Sequence, residues 1–76
     1  MSRYVIEKED GSEIAYGFDH ALGFFVQLFE YDKDGRVNVT IDMDRLNSSR
    51  GDVLEKCTEL GVPDEHLERI SLDLPF

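Results

Sequence analysis

The stretch Phe24-Phe25-Val26-Gln27-Leu28-Phe29-Glu30-Tyr31, the turn Asp32-Lys33-Asp34-Gly35 and the run Arg36-Val37-Asn38-Val39-Thr40-Ile41-Asp42-Met43-Asp44 decide the architecture. Two runs rich in β-branched and aromatic residues flank an Asp-Gly pair. That pair signals a hairpin, because glycine reaches positive φ without steric cost. The return run alternates, which predicts Val37, Val39, Ile41 and Met43 facing inward and Asn38, Thr40, Asp42 and Asp44 facing water. The first run carries apolar side chains on both faces: Phe24, Val26 and Leu28 on one, Phe25, Phe29 and Tyr31 on the other. Such a strand is either covered on both sides or presents aromatics to its surroundings, and this holds in either hairpin register.

Working outward, Tyr4-Val5-Ile6-Glu7-Lys8 and Glu13-Ile14-Ala15-Tyr16 read as a second hairpin around Asp10-Gly11. A three-residue loop with a glycine bulge places Tyr4, Ile6, Ile14 and Tyr16 on one face. The segment Gly17-Phe18-Asp19-His20-Ala21-Leu22-Gly23 is bracketed by glycines, and Asp19 suits the cap of a short turn. Beyond a polar connection from Arg45 to Arg50, a helix is predicted from Asp52 as N-cap, with Val53, Leu54, Cys57 and Leu60 as its apolar stripe and Gly61 as its stop. Val62-Pro63 opens a second short helix with Leu67 facing in. From Ile70 the period changes to two, which predicts a short strand over Ile70, Leu72 and Leu74. The fold class expected is α+β: an antiparallel sheet of four to five strands, with two short helices on one face.

The chain has 76 residues, of which 41% are hydrophobic and 33% charged. It reads as a single small domain, residues 1–76, with no repeat, linker or low-complexity tract. A chain this short hides only about 60% of the surface its unfolded form exposes, so its core must be thin. Seventeen Asp and Glu against eight Lys and Arg give a net charge of −9. That balance excludes nucleic acid and anionic membrane surfaces as expected direct ligands, since phosphate recognition needs clustered cations. No apolar run reaches membrane-spanning length, and the opening Met1-Ser2-Arg3-Tyr4 lacks the apolar stretch of a signal peptide. With Cys57 as the single cysteine, the expected setting is reducing and cytoplasmic.

The motifs that invite chemistry have simpler readings. Glu30, Asp32, Asp34 and Gly35 match the first half of a calcium loop, but Ile41 occupies the position of the bidentate glutamate, and the flanks are strand-like. Asp19-His20 resembles an acid–base pair, yet no nucleophile or oxyanion stabiliser lies nearby in sequence. Cys57 falls on the apolar stripe of a helix, and His66 sits among Glu65, Glu68 and Arg69 on what reads as a solvated helix face. No metal, cofactor or catalytic residue is expected. Arg50-Gly51-Asp52, Asn38-Val39-Thr40 and Asn47-Ser48-Ser49 spell extracellular signals that a cytoplasmic chain does not use.

Two surface features remain. If the helices cover the side of Phe24, Val26 and Leu28, then Phe25, Phe29 and Tyr31 stand exposed beside Gln27 and mark an interface. With the loop residues Phe18, Asp19 and His20, they are the expected contacts to a protein partner or to a second copy of the chain. The second feature is acidic: Asp42, Asp44, Asp52, Glu55, Glu59, Asp64, Glu65 and Glu68, an array able to imitate nucleic-acid phosphates toward a basic protein if it shares one face. The primary expectation is a small, acidic, non-catalytic interaction domain. The alternative is a nucleic-acid mimic that inhibits a DNA- or RNA-binding protein, such as a phage-type inhibitor of a host defence system.

Overall fold

Both hairpin turns are built alike in the computed structural model, which describes residues 2–76. Lys8 N–H donates to the Ser12 carbonyl at 2.8 Å and Gly11 N–H to the Lys8 carbonyl at 3.0 Å. The second turn repeats this, with Asp32 N–H on the Arg36 carbonyl and Gly35 N–H on the Asp32 carbonyl, each at 3.0 Å. Gly11 and Gly35 sit at φ 88° and 79°, the left-handed conformation that closes a three-residue loop. The Asp10 and Asp32 carboxylates then accept backbone N–H groups inside their own turns. The calcium-like spacing of Asp32 and Asp34 is thus the chemistry of a turn.

These turns set up one antiparallel sheet in the order β1 (Ser2–Glu7), β2 (Glu13–Asp19), β3 (Gly23–Tyr31), β4 (Val37–Met43). Tyr4 opposes Tyr16 and Ile6 opposes Ile14, so all four share a face, as the glycine-bulge loop requires. Two helices follow, α1 (Arg50–Leu60) and α2 (Asp64–Ser71). Ile14, Tyr16, Phe24 and Val26 of the sheet pack with Val53, Cys57, Val62 and Ile70 of the helical layer, and Leu28 joins from the same face. The class is α+β, with four strands and both helices on one side.

The sheet departs from clean alternation in β4. Leu28 opposes Ile41, but Phe29 opposes Val39, so Thr40 is an extra residue and the register shifts there. A bulge of one residue exchanges the faces on either side of it. Ile41 and Met43 therefore stay with the core, while Val37 and Val39 turn to the opposite face and are each 52% exposed. The expectation that all four face inward is corrected on this ground.

The helical boundaries also shift. Ser49, not Asp52, is the N-cap of α1: Asp52 N–H donates to Ser49 Oγ at 3.1 Å, and Ser49 N–H donates back to Asp52 Oδ2 at 3.3 Å. Asp52 is the reciprocal member of this capping box. Gly61, at φ 88°, ends the helix as expected. The short strand over 70–74 does not form. Ile70 lies inside α2, where the Arg50 guanidinium donates to the Ile70 and Ser71 carbonyls at 3.0 and 2.7 Å and satisfies the end of the helix. Leu72 N–H still bonds the Glu68 carbonyl, and Asp73 takes a positive φ of 59° that breaks any extended run.

The helical and extended readings of this segment separate experimentally. Ile70 is 1% exposed and Leu72 58% exposed. Ile70→Ala is expected to lower unfolding free energy in urea by about 2–5 kcal/mol, and Leu72→Ala to stay within about 0.5 kcal/mol. Equal losses at both positions would restore the strand.

Candidate functional site

The pleat and the register define what lies on the sheet face opposite the helices. Arg3, Val5 and Glu7 of β1 stand beside Gly17, Ala15 and Glu13 of β2, and these beside Phe25, Gln27 and Phe29 of β3. Asp42 and Val39 of β4 complete the rows opposite Gln27 and Phe29, and Val37 lies opposite Tyr31. Ala15 and Gly17 form a low floor. A Cβ at Gly17 would run into the backbone carbonyl of Ser2, so the close approach of β1 requires glycine there. Around the floor stand the half-buried rings of Phe25 and Phe29, with Val5, Tyr31, Val37 and Val39 at 48–52% exposure. Antiparallel sheets that face water normally carry polar side chains on that face. Here the centre is apolar.

Polar groups stand among and around the apolar side chains. The Tyr31 hydroxyl donates to Glu13 Oε1 at 2.9 Å, and Gln27 Nε2 donates to Asp42 Oδ1 at 3.2 Å. The bond to Glu13, more than burial, raises the Tyr31 phenol above its ordinary value. At one end a depression of about 220 Å³ is lined by Arg3, Asp19, Leu22, Phe25, Asp42 and Asp44, among others. Asp19 Oδ1 accepts the N–H groups of Ala21 and Leu22 at 2.8 and 3.1 Å. Those two bonds hold its carboxyl below the usual range, so it stays ionised.

The structure divides the residues expected from sequence. Phe25, Phe29 and Tyr31 share the open face, and Asp19 joins Phe25 at its end. Phe18 does not: it packs on the helical side against Phe24, ring centroids 5.1 Å apart, and edge-on to His20 at 5.8 Å. Phe18, Asp19 and His20 are thus not one patch, and the Asp19 carboxylate serves the backbone of its own turn. The acidic residues are also divided. Asp42 and Asp44 line the open-face depression, whereas Asp52, Glu55, Glu59, Asp64, Glu65 and Glu68 belong to the helices on the other side of the sheet.

His66 is the principal correction to the reading of single residues. Its side chain is 17% exposed, not solvated, and its Nδ1 shares a 2.6 Å hydrogen bond with the Tyr16 hydroxyl. Phe76 stacks on it at 4.8 Å and 8° between ring planes, and Tyr4 lies 4.6 Å away. Burial raises the Tyr16 phenol above its ordinary value. The signal was present in the spacing: His66 stands four residues before Ile70 on α2, and Ile70 is buried in the core.

Cys57 is fully buried, and burial pushes its thiol from 9.0 up to about 12, so it carries no thiolate at neutral pH. Among the described residues, no three His, Cys, Asp or Glu side chains gather as a metal site, and no helix is long and apolar enough to cross a membrane. Comparison with protein families, with characterised proteins and with solved structures finds no match to this chain.

The buried thiol gives a pH prediction. Its folded-state pKa is raised, so the folded chain holds the proton more tightly than the unfolded chain. Its contribution is complete below pH 9 and is lost as pH rises toward about 12. Stability measured in urea is expected to fall by about 1.4 kcal/mol per pH unit across that window, and Cys57→Ala to flatten the decline. A thiol reagent reacting with the folded chain at pH 8 as fast as with the unfolded chain would contradict the burial.

Proposed function

We propose that this chain is a small, acidic, non-catalytic domain that binds a protein partner through the open face of its sheet. One observation carries the reading: Phe25, Phe29, Tyr31, Val5, Val37 and Val39 occupy a single face that neither helix covers. Contiguous apolar surface is retained on small domains mainly where something docks, and aromatic anchors carry much of the energy when it does. The face is pre-ordered by its own sheet, so docking costs little backbone entropy. The free, buried thiol of Cys57 fits a reducing, cytoplasmic setting. The non-catalytic part of the reading draws on Asp19 being engaged by its own turn and Cys57 being protonated.

The test is capture from lysate of the source cells by the wild-type chain and by a Tyr31→Ser/Val39→Ser double variant, both exposed positions that leave the core intact. A partner is expected to survive washing at low and moderate salt on wild type and to be lost from the variant, with an unchanged melting temperature. Equal capture by both chains, or no capture, would remove the open face as the docking surface. Capture lost instead on neutralising Glu55, Glu59 and Glu65 would move binding to the helices and favour the acidic mimic.

A further inference from the structure

We infer that the surface seated on the open sheet face is basic: an apolar protein surface bearing Lys or Arg at its margin, rather than a second copy of this chain. The inference rests on the docking reading and adds to it the chemistry of the occupant. Glu7 and Glu13 are direct cross-strand neighbours on that face. Like charges placed directly opposite one another destabilise a sheet, so this pair costs the free domain stability that a cation from outside would return. The carboxylates of Asp42 and Asp44 gather at the other end, around the depression beside Phe25. Among the described residues the ion pair within 4.0 Å is Lys56 with Glu59, and His66 Nε2 lies 4.0 Å from Glu65 Oε1, both on the helical layer. Glu7, Glu13 and Asp42 therefore meet no cationic side chain within that distance.

The face thus consists of an apolar centre between two acidic ends, with Arg3 as the one basic side chain among the described strand residues on it. A second copy would present the same self-complementary patch, because a two-fold interface joins identical surfaces. That arrangement adds carboxylates to carboxylates, and each chain brings a net charge of −9. Like-charge juxtaposition across an interface costs several kcal/mol and slows encounter. A Lys- or Arg-bearing surface reverses both effects, and it places cations against Glu7, Glu13 and Asp42 while its apolar centre covers Phe29 and Val39.

Two capped peptides of four Lys-Val repeats and four Glu-Val repeats test this against the full chain, with backbone amide shifts as the readout. The Lys-Val peptide is expected to shift Glu13, Phe25, Phe29 and Val39 and to bind roughly tenfold tighter than the Glu-Val peptide, about 1.4 kcal/mol. Glu7→Gln/Glu13→Gln, which keeps the shape, is expected to remove most of that preference. Shifts confined to the carboxylate-bearing residues of α1 and α2 would mean attraction by net charge alone and would overturn the inference. So would equal affinity for both peptides, or sedimentation showing a dimer closed over the open face. If neither peptide shifts the open face while lysate capture through it persists, the basic chemistry fails and docking stands; if both fail, the docking reading goes too.

Discussion

Two helices of 11 and 8 residues can cover one face of a four-stranded sheet and no more. A helix with its side chains is about 10 Å across and strands lie about 4.8 Å apart, so the pair spans the sheet once, side by side. The rest of the structure follows from this limit. The core is a single layer between β-sheet and helices, built on Ile14, Tyr16, Val26, Val53, Cys57 and Ile70, each no more than 2% exposed. Among the described residues, no further helix or strand lies over the opposite face. The apolar residues there are the uncovered half of a two-sided strand, β3.

The bulge at Thr40 makes that unpaired half larger. Without it, Val37 and Val39 would share the face of Ile41 and Met43, and the open side would hold Asn38 in their place. With it, two β-branched residues join Phe29 and Tyr31 as cross-strand neighbours. The extra residue is held locally: Thr40 Oγ1 bonds Glu30 Oε1 at 2.9 Å. A register shift that moves apolar side chains out of the core and onto an exposed face lowers solubility unless that face is used. Bulges that re-aim side chains are found beside functional sites, and this one widens the apolar centre at the end nearest Glu7 and Glu13.

Much of the fold was legible, and the failures have physical causes. Asp10-Gly11 and Asp34-Gly35 specify their turns locally, and the first of them fixed which side chains of β1 and β2 share a face. The two-sided character of residues 24–31 showed that either a second covering layer or an exposed aromatic face had to exist. What could not be read were the features that depend on distant partners. The bulge is decided by the pairing of β3 with β4. The fate of Ile70, Leu72 and Leu74 is decided by Arg50, twenty residues upstream of Ile70, whose guanidinium closes α2. The charged sequence neighbours of His66 suggest a solvated side chain, yet the Tyr16 hydroxyl binds its Nδ1 and Phe76 stacks on its ring. The acidic residues could be counted but not placed, since burial pattern and register decide on which side of a sheet each one stands.

Docking through the open face depends on that face being apolar and uncovered in the free chain, and the valines report it directly. The six valines divide evenly: Val26, Val53 and Val62 are no more than 3% exposed, while Val5, Val37 and Val39 are 49–52% exposed and all on the open face. Valine-methyl NMR in the presence of a non-ionic paramagnetic relaxation agent measures this at single-residue level. The account requires strong broadening of the Val5, Val37 and Val39 methyls and sparing of the other three. Six valines protected alike, or broadening of Val26 with sparing of Val39, would show that the face is covered or the register is wrong, and would contradict it.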